Sequence, residues 1–234
     1  MALTGTIVNF FAIVAGGAIG LLFRKGLPQK YMQALLWALG LVVFALGVSY
    51  ILDSQQVLVV IISVILGTLL GTVLRLNDRL GHFGDWLQSR MRVGSGRFSE
   101  AFTTCTLLYC VGAMAITGSI QGGLQHDHTV LFLKSVMDGV TAIFFASTMG
   151  VGVLFAAVPV LLYQGAIALG ASALSNVLDM AVVPEMAAAG GVALMALGLT
   201  MIEIKQIKVA DILPSMFLPI AVLPLINWLT SLLQ

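Results

Sequence analysis

Charge is what this sequence has least of. Eleven basic and 10 acidic residues in 234 leave 9% charged against 59% hydrophobic, with a net charge of +1. Soluble domains carry roughly 25% charged residues, so a water-soluble globule is excluded. No basic stripe appears outside short connecting loops, and no nucleic-acid partner is expected. There are only two cysteines, Cys105 and Cys110, both inside an apolar run. A disulfide framework needs loop-rich extracellular context and a metal site needs more ligands at closer spacing, so both read as buried thiols. Neither metal nor cofactor is expected. Nucleotide-binding and metalloprotease motifs are missing, as is a nucleophile with a base at readable spacing, and none of the three histidines falls in an apolar run. The expectation is a protein that is not an enzyme and does not itself use ATP.

What is present is apolar sequence in lengths that cross a bilayer, which takes about 20 residues per helix. Eight runs qualify: 4–23, 33–52, 56–74, 101–120, 129–149, 150–173, 186–202 and 212–233. The fifth and sixth are separated only by Met149-Gly150-Val151-Gly152. The first run lacks a preceding basic region, and its positive charges follow it, so it reads as a retained span. The expected fold is all-α and polytopic, one integral membrane domain over 1–234, with an amphipathic connector at about 76–92. In that connector Leu76, Leu80, Phe83, Trp86 and Leu87 recur at helical spacing, and Val93-Gly94-Ser95-Gly96 reads as a hinge after it.

Basic residues test the count. Arg24, Lys25 and Lys30 fall in the first loop, Arg75, Arg79, Arg90, Arg92 and Arg97 in or beside the third, Lys205 and Lys208 in the seventh. All are odd-numbered loops, so with eight spans ten of the eleven cations share one side. The positive-inside rule makes that side cytoplasmic and puts both termini outside. Glu203, Lys205, Lys208 and Asp211 read as an exposed cytoplasmic turn, Arg97 and Glu100 as an interfacial pair, and His126-Asp127-His128 as solvated external loop.

The eleventh cation is Lys134, inside the fifth run with Asp138 four residues on. Each charge at a helix centre costs roughly 2.5–3.5 kcal/mol on insertion scales. Residues four apart share a helical face, so the two can pair and point into a bundle or a wet cavity. Intramembrane ionisable residues default to a substrate or ion pathway, and Asp138 is expected to change partner or protonation state there. Thr141 lies on the same face and Ser135 flanks it. Asn9 in the first run, Ser119 and Gln121 ending the fourth, and Gln164 in the sixth complete the polar candidates.

Glycine pairs Gly16/Gly20, Gly67/Gly71 and Gly118/Gly122 have the spacing that lets helices approach closely in lipid. Gly40–Gly47 (GLVVFALG) echoes Gly191–Gly198 (GVALMALG), and the GAI at Gly17 echoes that at Gly165. These matches suggest an inverted repeat of spans 1–3 and 6–8, as in many secondary transporters. Pro159, Pro219 and Pro224 each remove a helical donor, marking kinks or a broken helix.

The stretches VNFFAIVAGGAIG (from Val8), GTLLG (from Gly67), CVGAMAITGSIQGGL (from Cys110), LKSVMDGVTAIFFASTMGVGV (from Leu133) and YQG (from Tyr163) form a set. Together they resemble the YqgA/YdfK-like family of bacterial inner-membrane proteins, which carry a domain of unknown function, over nearly the whole chain. The resemblance implies a multi-pass inner-membrane protein described at most as a candidate transporter, and it carries over no site residue. Expected partners are the lipid bilayer and a small solute or ion; a homo-oligomer is left open. The expected function is secondary transport of a small solute, coupled to a proton or cation. A non-transporting scaffold or a channel is the alternative.

Overall fold

A computed structural model describes residues 1–24, 28–91, 97–171 and 181–232, all helix and connection with no strand among them. Lys25, Arg92, the 93–96 hinge, the end of the sixth run and Leu233 lie outside the described residues. Helices α1 (Thr4–Arg24), α2 (Gln29–Leu52), α3 (Val57–Leu74), α7 (Thr129–Met149) and α10 (Val182–Met201) are unbroken apolar helices. The amphipathic α4 (Leu76–Met91) follows α3 after one residue. The sixth run is the four-residue α8 (Gly152–Phe155) followed by α9 (Ala157–Leu169).

Two runs expected as single spans are broken instead. The fourth is α5 (Phe98–Cys110) and α6 (Ala113–Leu124), bent by 60°. Gly112 makes the break, at φ +123°, a left-handed conformation that side chains with a Cβ rarely adopt. The eighth is a 3₁₀ segment, Val209–Met216, and α11 (Pro219–Leu232), bent by 50°. Pro219 is thus not a kink within a span. It opens a new helix, where its missing N–H removes no hydrogen bond. Pro159 stands in the first turn of α9, equally tolerated. Among the described residues six helices are long and apolar enough to cross a membrane, or up to eight if each bent pair is one span.

Contacts divide the chain into two compact units. The first comprises Met1–Leu39, Asp78–Cys110 and Met114–Leu174. Its centre is α1 against α7, where a Cβ on Gly16 would run into the carbonyl of Gly139 and one on Gly20 into that of Ile143. Gly5 lies on Leu131. The numbers rise together, so α1 and α7 run parallel. The α8–α9 segment runs antiparallel to α1, with Gly17 on Leu154 of α8 and Gly165 of α9 near Leu3, just before α1. Gly150, at φ +98°, ends α7 beneath the Arg24 guanidinium, which confirms the expected break between the fifth and sixth spans.

The second unit comprises Gly40–Asn77, Val111–Ala113 and Ser175–Gln234. In it α2 crosses α10 antiparallel through the echoed glycines. A Cβ on Gly47 would stand 2.5 Å from the Gly191 carbonyl, and one on Gly198 2.6 Å from that of Gly40. Gly67 and Gly71 let α3 lie on Ser215 and Asp211 of the 3₁₀ segment. Each of spans one to three thus packs antiparallel on its expected repeat mate. The correspondence is local: α3 is continuous where the eighth span is broken, and Gly17 and Gly165 make unlike contacts.

Two buried acids organise this unit. Glu185 accepts from Ser54 Oγ (2.6 Å) and from the backbone N–H groups of Gln55 (2.8 Å) and Gln56 (3.0 Å), closing the α2–α3 turn. It lies inside α10, which starts four residues earlier than the apolar run. Asp211 is buried, not exposed as expected, because its Oδ1 accepts the Asn77 backbone N–H at 2.8 Å at the start of α4. Its neighbours Glu203, Lys205 and Lys208 are exposed as expected.

Candidate functional site

The polar centre is in the first unit, where α1, α7 and α9 meet. Asp138 is the tenth of the 21 residues of α7, and Lys134 stands one turn before it. Lys134 Nζ is 2.9 Å from Asp138 Oδ1 and 2.8 Å from Oδ2, so one ammonium bridges both oxygens. The two side chains are only 8% and 9% exposed. Between the Gly5–Leu131 and Gly16–Gly139 contacts, the parallel register carries Asn9 to the same level. Asn9 Nδ2 donates to Asp138 Oδ2 at 3.0 Å and to Gln164 Oε1 of α9 at 3.3 Å. Those two acceptors fix which way both amides point, since a flipped Asn9 would set its oxygen against a carboxylate. The result leaves Asn9 Oδ1 and Gln164 Nε2 without hydrogen-bond partners, each on a fully buried residue.

Four of the six expected site residues, Asn9, Lys134, Asp138 and Gln164, therefore form one hydrogen-bonded group. The other two are turned to their own helices. Thr141 Oγ1 donates to the Met137 and Asp138 carbonyls (2.9 and 3.0 Å), and Ser119 Oγ to the Ala115 carbonyl (2.6 Å). Ser135 likewise bonds back to Leu131 (2.6 Å). Hydroxyls in apolar helices commonly do this, because the i−4 carbonyl is the nearest acceptor.

Sequence reasoning missed four neighbours. Thr6, one turn before Asn9, is fully buried with an unpartnered hydroxyl. Its i, i+3 spacing from Asn9 was the available signal. Cys105, Tyr109 and Cys110, at the C-terminal end of α5, come within electrostatic reach of Asp138, and Cys110 also of Lys134. The break after Cys110 ends α5 as a half-helix within an apolar run.

Away from this centre, Arg97 and Glu100 pair at 3.3 Å as expected. In the α6–α7 loop His126 and Asp127 are exposed. Asp127 is also a turn residue: its Oδ1 accepts the Thr129 N–H at 2.9 Å, which holds its carboxyl below the usual carboxylate range. Cys105 and Cys110 are both free thiols.

Known proteins agree with this architecture without adding chemistry. The family model described as "Protein of unknown function (DUF554)" matches residues 4–223. The uncharacterized membrane protein YdfK of Bacillus subtilis (strain 168) is 32% identical over 227 residues, covering 95% of this chain and 96% of the relative. The uncharacterized protein YqgA of Escherichia coli (strain K12) is 25% identical over 219 residues, covering 92% and 93%. No solved structure matches. A helical bundle with six to eight apolar spans, matched along nearly its whole length, belongs to the DUF554 family of membrane proteins.

Proposed function

We propose that the protein is a secondary transporter of a small solute in the bacterial inner membrane, with Lys134 and Asp138 at its centre and no enzymatic activity. The observation that supports this reading is a buried ion pair joined to two amides that keep an unused acceptor and an unused donor. Buried polar atoms are almost always paired, and unpaired ones call for a reason. A solute would supply the missing partners, while Asp138 exchanges Lys134 for a proton or cation. Broken apolar helices are also a feature of many secondary transporters. By the basic-loop asymmetry both termini face the periplasm.

A second reading, a static lock in a scaffold protein, is favoured by the near-complete burial of the pair. One experiment separates the two. Proteoliposomes loaded with a pH-sensitive dye are pulsed with Na⁺, K⁺ and a panel of small metabolites. Transport predicts a lumenal pH response to at least one of them that is lost in Asp138→Asn, with the variant inserted at wild-type level. Equal responses in wild type and variant remove Asp138 from the mechanism. Silence in both favours the lock.

A further inference from the structure

We infer that α4 carries a binding site for anionic phospholipid headgroups on the side of the membrane where the basic loops lie. Arg79, Phe83, Trp86 and Arg90 recur at i, i+4, i+7 and i+11. At 100° per residue they occupy about 60° of the helix circumference. The two rings stack on each other, centroids 5.7 Å apart, and remain 49% and 56% exposed. Both arginines are exposed, and neither has an acidic partner among the described residues, whereas Arg97 is paired with Glu100. The opposite side of α4 is already occupied. Gly84 lies against Ser99 of α5, whose hydroxyl donates to the Gly81 carbonyl at 3.2 Å. Asp78 and Asp85 fall outside the stripe.

The occupant follows from where the chain puts this face. Helix α3 ends at Leu74 and α4 begins at Leu76, the chain turning on Arg75 at φ +52°. A second apolar segment, α5, starts at Phe98. Helix α4 thus follows one apolar helix and precedes another in the chain. Rings at the ends of such helices sit among headgroups, and guanidinium forks match phosphate oxygens. Arg79 and Arg90 are roughly 16 Å apart along the helix, so each meets a different headgroup. Phe83 also touches Phe102 of α5, ring centroids 5.8 Å apart, so the stripe leaves each ring about half exposed next to two charges, which neither a bilayer core nor bulk water favours.

The test uses the full chain in detergent, titrated with phosphatidylglycerol and, separately, phosphatidylcholine, with thermal stabilisation as the readout. Phosphatidylglycerol is expected to stabilise at much lower concentration. Each surface charge contributes roughly a fivefold affinity for an anionic surface, so Arg79→Gln/Arg90→Gln should weaken that response roughly 30-fold. The control Lys30→Gln/Lys205→Gln, cations off the stripe, should weaken it clearly less than the arginine pair does. Trp86 is then made the only tryptophan by Trp37→Phe/Trp228→Phe, and brominated-chain lipids in nanodiscs should quench it. An unchanged phosphatidylglycerol response in the double arginine variant, or an unquenched Trp86, overturns the assignment. An unquenched Trp86 would mean that protein or water covers this face.

Discussion

Replacing Lys134 with Met is the sharpest perturbation of the site. At 2.8 Å and an effective dielectric of about 20, the Lys134–Asp138 attraction is about 6 kcal/mol, largely offset by the desolvation of both charges. Removing one partner forfeits the attraction but leaves the other charge buried. Lys134→Met leaves Asp138 with only the Asn9 amide, and Asp138→Leu leaves Lys134 with no acceptor. Each single change should cost about 3–5 kcal/mol. The double change Lys134→Met/Asp138→Leu removes both charges, and buried pairs replaced this way are often neutral. Its cost should be limited to the stranded Asn9 donor, about 1–3 kcal/mol. At 2–4 °C per kcal/mol the single variants should melt roughly 6–20 °C lower and the double variant less than either. Buried Cys105 supplies the assay once the half-buried Cys110 is replaced by Ser, because a thiol-reactive fluorophore then labels the protein only as the bundle opens. Single costs that simply add in the double variant, within about 0.5 kcal/mol, would show that the pair is not coupled and refute the site as described.

Three further outcomes follow from the packing and the turns. Gly16→Leu should prevent the α1–α7 contact and give aggregated or absent protein by size-exclusion chromatography, whereas Gly81→Ala, with nothing within 4 Å of the added carbon, should raise stability by about 0.5–1 kcal/mol. Glu185→Leu strands three donors at the α2–α3 turn and should lower stability by at least about 3 kcal/mol in the same thiol assay, while the neighbouring Asp53→Asn should change little. Asp127 has a depressed folded-state pKa, so its contribution is present above the ordinary value of 3.8 and is lost as pH falls through the folded value. Asp127→Ala should therefore melt below wild type at neutral pH and converge with it as pH falls below the lowered folded-state value; a gap that persists there would show that the Thr129 hydrogen bond does not depend on the carboxylate.

The sequence by itself determined the helical membrane class, the positions of most spans and the four residues of the central group. Hydropathy and charge act over windows of about 20 residues, and a lysine and aspartate one turn apart in an apolar helix announce themselves without a fold. It also carried the glycine echo, whose members do meet. Tertiary structure alone decided the rest. The fourth span breaks at Gly112 because the chain adopts a left-handed turn there, and glycine by itself does not say which of its permitted conformations is used. Asp211 is buried because α3 and the 3₁₀ segment close together through Gly67 and Gly71, which puts a distant backbone N–H within reach of its carboxylate. Glu185 closes a turn some 130 residues earlier for the same kind of reason. The hydroxyls of Thr141 and Ser119 bond to their own helices while that of Thr6 is buried without a partner, because whether a hydroxyl faces its own helix or a neighbour depends on how that neighbour is packed.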